Sequence, residues 1–431
     1  MNENSKGPDK KVIILIIVAA LGYFVDIYDM VLFGVVKSES VNSIMSSYNT
    51  EEQASTGKFL YNMQMWGMLI GGLLWGILGD KKGRLKVLFG SILLYSLANL
   101  ANAFVTDITS YAIVRLIAGI GLAGELGAGI TLVSELMSKE NRGYGTMIIV
   151  TFGALGGVVA YYVYEKGALI GDFIFECFGY QFENWQVTYI IGGLLGIMLL
   201  LLRVGTIESS FFKKMSEDKN VSKGNLKLIF FNRENLAKYI HCIIIGIPIY
   251  FVVGLLIMNS RDNFAPLLGI DNLVNGKAIM YTYIGLSIGD LISGMLSQLL
   301  KSRKKVIAIY LTFTLILVIN FLFFMNGISA ETYYFVCFLL GVSTGYWALF
   351  VSMAAEQFGT NIRSTTANTI PNFVRGSVNL IMPSFAFLMA LNFGDAWSAL
   401  IVGLIFIFLA LYSLSQLKET FGKDLNYFEE E

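Results

Sequence analysis

"GILGDKKGRLKV", residues 76–87, packs one acid, four bases and three glycines into the gap between two apolar runs, 58–79 and 86–105. Each run can cover a hydrocarbon core of about 30 Å, so the stretch reads as a tight basic loop between two membrane-spanning helices. The rest of the chain repeats that pattern. Over 431 residues it is 55% hydrophobic and 14% charged, with mean hydropathy +0.64, where a soluble domain carries about 25% charged residues. Further apolar runs fall near 12–36, 110–137, 145–164, 186–204, 238–259, 277–300, 305–326, 332–355, 366–391 and 396–417, twelve in all. The expectation is an all-α integral membrane protein with twelve transmembrane helices.

A cytoplasmic N-terminus puts most of the 31 Lys and Arg into the tails and the loops near 80–86, 138–144, 203–238, 301–305 and 356–364. The opposite loops keep only Lys37, Lys58, Lys166, Arg261 and Lys277. That bias places the chain in the cell membrane with both termini in the cytoplasm. The first apolar run contains acids and exceeds a signal-peptide core, so it reads as a retained helix. Net charge is zero and the bases are spread over short loops, which argues against a nucleic-acid partner. Cys177, Cys242 and Cys337 have no paired spacing and His241 is the single histidine, so neither a disulfide framework nor a metal centre is expected. His241 itself reads as structural. No phosphate-binding loop and no nucleophile with a base are present, so enzymatic chemistry and a cofactor are not expected.

The longest polar interruption, 206–239, has six runs on either side. It divides the chain into an N-terminal six-helix bundle (1–205), a cytoplasmic linker (206–237) and a C-terminal six-helix bundle with a short tail (238–431). "SELMSKENRGYGT" (134–146) holds Glu135 and Arg142, and "AEQFGTNIRSTTA" (355–367) holds Glu356 and Arg363 at the same separation, 221 positions later. The opening stretch has a weaker echo 218 positions on, "GMLSQLLKSRKK" (294–305), with Gln298 in place of Asp80. Two parallel halves with a substrate site between them are a known transporter plan.

With these motifs the chain resembles the major facilitator superfamily over essentially its whole length. Gly76, Asp80, Lys81, Gly83, Arg84 and Lys86 fit the superfamily loop motif G-x-x-x-D-R/K-x-G-R-x-R/K between helices 2 and 3. Arg115, Gly119, Gly121 and Gly124 fit its helix 4 pattern R-x-x-x-G-x-G-x-x-G. "DIYDM" in helix 1 is similar to the metabolite:proton and aromatic-acid:proton symporters, with Ile27 replacing a glycine. Ala123, Gly124 and Glu125 stand where phosphate:proton symporters have Gly-Gly-Asp. The resemblance implies a secondary transporter working by alternating access, with loop charges that gate its cytoplasmic side: Asp80 at a helix end, Arg84 pairing with Glu135, and Arg142, Glu356 and Arg363 beside them.

Asp26 and Asp29 lie in the first apolar run, where a charge costs at least about 2.5 kcal/mol. Spaced i and i+3, they project from one side of a helix, and a carboxylate beside an Arg can switch its protonation as a cation approaches or leaves. They are the first candidates for proton coupling, with Arg115 as partner; the competing reading is a permanent ion pair with Arg115 that specifies packing. Glu125 is the second proton-site candidate, against a neutral acid bonded to a neighbouring helix. Arg375, in a helix loosened by Pro371 and Gly376, offers a planar fork to a carboxylate or phosphate, with Asn372 one turn earlier; the alternative is a pair with Asp290. Asn62, Gln64, Trp347 and Asp290 complete the candidate substrate site, although a Trp near a span end is often an interfacial anchor.

The function expected is proton symport of a small anionic metabolite, an organic acid or a phosphate-like anion, by a monomer surrounded by lipid. A proton-coupled or facilitative sugar carrier is the neighbouring alternative. A membrane sensor or scaffold that has lost transport is the alternative from another class.

Overall fold

Lipid offers no partner for a backbone N–H or C=O, so a chain this apolar satisfies them within helices. The computed structural model describes residues 10–82, 84–127, 129–130, 137, 142–207, 227–270, 273–424, 427 and 429, and no strand occurs among them. Twelve spans follow in order: α1 (Lys10–Ile44), α2 (Thr50–Lys82), α3 (Arg84–Asn102), α4 (Ile108–Leu122), α5 (Arg142–Glu165), α6 (Asn184–Ile207), α7 (Arg233–Tyr250), α8 (Asn275–Leu300), α9 (Arg303–Phe323), α10 (Ala330–Thr344, resuming as Trp347–Glu356), α11 (Arg363–Gly376, resuming as Val378–Ala390) and α12 (Gly394–Gln416). Ten are long and apolar enough to cross a membrane by composition. The other two, α2 and α3, complete the set; α2 has 33 residues, about 50 Å at 1.5 Å per residue. The linker expected over 206–237 falls largely at 208–226, outside the described residues.

Three spans are irregular for identifiable reasons. Pro248 has no N–H to donate, and the turns after it widen into π-helix over Phe251–Ile257 and again over Ser260–Phe264. The Asn259 amide donates to the Gly254 and Leu255 carbonyls at 3.2 and 2.9 Å, taking up acceptors that the widened turns leave over. α10 breaks at Gly345, where its backbone meets that of Gly289 on α8 with no room for a Cβ. α11 breaks at Ser377, directly after Gly376.

In the first six helices α1 packs on α5, α2 on α4, and α3 between α4 and α6; in the second, α8 packs on α10, and α12 against α7 and α9. The two sets meet along a seam where α2 lies on α11 and α5 on α8. Small residues permit that approach: Gly72 faces Asn372, Gly76 faces Thr365, Gly157 faces Tyr283 and Gly294 faces Met147. At the end carrying both termini, Thr365 Oγ1 donates to the Gly76 carbonyl at 3.4 Å. At the far end Lys37 pairs with Asp262 at 2.8 Å and the Asn275 amide donates to the Gly34 carbonyl at 3.3 Å. A vestibule of about 840 Å³, bordered by Ser38, Asn42, Tyr164 and Arg261, opens at that far end.

Candidate substrate and proton site

Mid-way along the seam lies a cavity of about 20 Å³ lined by Tyr23, Met30, Tyr250, Tyr283 and Trp347. That is room for about one water. Contacts join the two halves on either side of the cavity.

α1 and α11 bring the decisive charges together behind the cavity's Trp347 wall. Arg375 Nη2 lies 3.4 Å from Asp26 Oδ2, and Arg375 Nη1 lies 3.4 Å from Asn372 Oδ1. The guanidinium carbon sits 5.7 Å from the centre of the Trp347 ring, which stands 5.9 Å from Tyr250. Asn372 ties the pair to the first half by donating to the Ala123 carbonyl at 2.8 Å. Three polar atoms there are buried without a hydrogen-bond partner: Arg375 Nε, Trp347 Nε1 and Asp26 Oδ1. The Tyr250 hydroxyl reaches the Met30 sulfur at 3.3 Å, a weak acceptor. Left so, each orphaned group costs roughly 1–3 kcal/mol, and two of them are donors that an anionic ligand would satisfy.

This arrangement corrects the expected partners. Arg115 does not pair with Asp26 or Asp29; its Nη2 donates to Gln64 Oε1, and its guanidinium stacks 4.8 Å from the Phe33 ring. Gln64 is therefore engaged inside the first bundle, also reaching the Met30 carbonyl at 3.5 Å. Asp26 and Asp29 part company: Asp26 faces α11, whereas Asp29 lies against α6, where a Cβ on Gly192 would come within 2.6 Å of its Oδ1. Neither oxygen of Asp29 has a hydrogen-bond partner among the described residues. Asp290 does not pair with Arg375. Its Oδ1 accepts the Ala348 N–H at 2.9 Å, at the start of the resumed α10, where the helix dipole favours a carboxylate. Trp347 is buried at the cavity rather than anchored at a span end, and Asn62 is half-buried and is not among the cavity's lining residues.

Two arginines that charge counting assigns to loops are in fact buried partners. Arg203, on α6, binds Glu125 through both terminal nitrogens. Arg303, on α9, binds Glu356 through two bonds of 2.7 Å. An Arg at the edge of an apolar run is the signal that reading passed over. Arg363 is buried with its Nε donating to the Phe358 carbonyl at 3.3 Å. Among the other loop positions, Gly83 and Glu135 lie outside the described residues, as do the side chains of Asp80, Arg84 and Arg142.

The family model described as the Major Facilitator Superfamily matches residues 19–383. The chain belongs to the Major Facilitator Superfamily. Among curated relatives of this superfamily member, a Bacillus subtilis (strain 168) protein provisionally named a niacin/nicotinamide transporter is 26% identical over 364 residues, covering 83% of this chain and 84% of its own. The benzoate transport protein of Acinetobacter baylyi (strain ATCC 33305 / BD413 / ADP1) is 23% identical over 386 residues, covering 81% and 78%. Among solved structures, the proton:xylose symporter XylE superposes with a TM-score of 0.73 at 16% identity, over 96% of this chain and 97% of that one. The chain is a multi-span membrane transporter for a small molecule, not an enzyme.

Proposed function

We propose that this transporter carries a small planar aromatic carboxylate into the cell together with a proton, acting as a monomer in the cell membrane with both termini in the cytoplasm. The observation that carries the reading is Arg375, whose only carboxylate contact among the described residues is a long one to Asp26, beside aromatic rings and with its Nε left over. A carboxylate ligand would dock on the guanidinium fork and take the free Trp347 N–H, while its ring stacks among Tyr23, Tyr250 and Tyr283. Niacin and benzoate, in the names of two relatives, have that shape. A sugar would need more side-chain donors and acceptors around the cavity than these rings supply.

Coupling follows from competition for one cation. When the ligand carboxylate takes Arg375, Asp26 loses its counter-ion in a water-poor site, where an unpaired charge is too costly to keep. Asp26 then takes a proton, so anion and proton travel together. The six-helix halves would rock about the α2–α11 and α5–α8 seam, with the linker of 206–237 joining them. Asp80, Arg84, Glu135 and Arg142 in the first half, and Arg303, Glu356 and Arg363 in the second, would close the cytoplasmic side.

The test is uptake of labelled niacin and benzoate into proteoliposomes. Wild type should accumulate one of them on an inward pH gradient. Asp26→Asn should lose accumulation while keeping exchange of labelled for unlabelled substrate. Arg375→Lys keeps the charge without the fork and should weaken binding by about tenfold to a hundredfold. Binding at wild-type strength in that variant would remove the anion reading, and absence of any flux in wild type would favour a sensor.

A further inference from the structure

Asp26 has a role in the proposed cycle and Asp29 has none, although Asp29 is the more costly group. It is fully buried, and both its oxygens lack a hydrogen-bond partner among the described residues. The charged and titratable groups within electrostatic reach of it are Asp26 and Tyr28 on its own helix, Tyr95 on α3, Arg115 on α4 and Tyr189 on α6, with the Asn99 side chain beside it on α3. One turn from Gly192, against which Asp29 lies, Tyr189 begins a line of hydroxyls. Its Oη is 2.8 Å from Tyr111 Oη, and Tyr111 donates to Ser40 Oγ at 3.1 Å. All three residues are fully buried inside the first bundle. Ser40 lies within one turn of Asn42 and Ser43, which border the far-end vestibule.

We infer that this line is the proton's way in: Ser40, Tyr111 and Tyr189 conduct a proton from the vestibule to Asp29, which stores it one helical turn from Asp26. The route runs through the first bundle and bypasses the central cavity, so bound substrate does not block it. The transfer is a concerted shift along O–H bonds. Ser40 Oγ takes a proton from vestibule water, Ser40 passes its own to Tyr111, Tyr111 to Tyr189, and Tyr189 to the Asp29 carboxylate through one water. Each oxygen gains one proton and loses one, so a single positive charge moves and Asp29 ends neutral. Tyr111 donates outward to Ser40 in the arrangement seen, so conduction needs each hydroxyl to turn round, a rotation that hydroxyls make readily. The inference rests on the proton-coupling reading, and its test is separable from it.

The probe is the proton itself. Protein in proteoliposomes receives an acid jump on the vestibule side, and time-resolved infrared spectroscopy follows the carbonyl stretch of the protonated carboxyl, assigned by its loss in Asp29→Asn. Tyr189→Phe and Tyr111→Phe keep the rings that pack on Trp185. They should slow the rise of that band on the order of a hundredfold with its final amplitude unchanged. Ser40→Ala should act in the same direction and serves if either tyrosine variant fails to fold. A purely structural role would alter the amplitude or its pH midpoint and leave the rate alone, which overturns the relay, as do wild-type rates in the variants. Tyr28→Phe, which removes a buried hydroxyl bonded to the Thr188 carbonyl outside the line, should leave the rate unchanged. Loss of gradient-driven uptake in wild type would strike the coupling reading by a separate measurement, and the absence of any Asp29 band in wild type would overturn the relay itself.

Discussion

Two buried acids toward the end where α1 begins, Glu125 and Glu356, and two at mid-depth, Asp26 and Asp29, are bonded differently. Toward the terminal end, Glu125 and Glu356 each receive two bonds from one arginine, those of Glu356 at 2.7 Å. At mid-depth, Asp26 holds Arg375 by one contact of 3.4 Å, and neither oxygen of Asp29 has a hydrogen-bond partner among the described residues. A buried charge with two short bonds is cheapest where it stands, whereas one with orphaned atoms lowers its cost whenever a proton or a ligand arrives. On the proposed cycle, local geometry thus separates pairs that brace the fold and its cytoplasmic closure from charges that exchange a proton or a ligand.

The largest effect should come from breaking a well-bonded pair. Glu356→Gln leaves Arg303 buried without its counter-ion and should cost about 3–5 kcal/mol, read as a fall in the thermal midpoint of the detergent-purified protein. Asp29→Asn is the matching test at mid-depth. It replaces an unpartnered buried carboxylate by a neutral group of the same shape, so the midpoint should stay level or rise while gradient-driven accumulation is lost. Equal destabilisation in the two variants would abolish the distinction between the regions.

This distinction was only partly legible in the sequence. Twelve spans, the loop at 76–87, the repeated Glu–Arg spacing and the isolated intramembrane charges follow from hydropathy and local spacing, and each helix overlaps its apolar run, although α4 ends at Leu122, well short of the run's end at 137. The pairings do not follow. Asp26 and Arg375 are 349 positions apart, and no local periodicity encodes which face of α11 turns toward α1. Arg203 and Arg303 flank apolar runs, where counting charges by side assigns them to loops, and only the fold shows their side chains turned inward. The widened turns of α7 have a visible cause in Pro248, but the choice of π-helix over a simple kink depends on Asn259 reaching back to the freed carbonyls.

A third kind of charge pair gives a smaller prediction. Lys37 and Asp262 join the halves at 2.8 Å beside the vestibule, with the Asp262 side chain 18% exposed. Partial hydration weakens such a pair, and Lys37→Met should shift the balance toward a form open at the far end by up to about 1 kcal/mol, roughly fivefold in population. Distances between spin labels on the far ends of α1 and α7 would show it as growth of the longer population. An unchanged distribution would mean that the Asn275 side-chain amide on the Gly34 carbonyl, not the ion pair, keeps this end shut.

The smallest effect concerns the tail after α12, which lies beneath the terminal end and outside the spans. Glu419 accepts the Ser302 hydroxyl at 2.5 Å and the Arg303 N–H at 3.0 Å, and the Gln357 amide donates to the Lys418 carbonyl at 2.8 Å. The tail therefore docks on the start of α9 and the end of α10, which carry Arg303 and Glu356. Burial pushes the Glu419 carboxyl up, but the Ser302 hydroxyl and the N–H groups of Arg303, Phe421 and Lys304 outweigh it and hold the group below the ordinary glutamate value. A carboxyl held low in the folded state stabilises it fully above the ordinary glutamate value, and the contribution fades as pH falls through the lowered one. Docking should thus be unaffected between pH 7 and pH 5 and should loosen only below the ordinary glutamate range, read as faster amide exchange of residues 417–424. Glu419→Gln should show the loosened exchange already at pH 7 with transport close to wild type, since the short bonds of Glu356 with Arg303 do not pass through it. If Glu419→Gln instead destabilises as strongly as Glu356→Gln, the tail belongs with the charges that hold the fold, and the boundary drawn between the terminal end and mid-depth extends beyond the membrane.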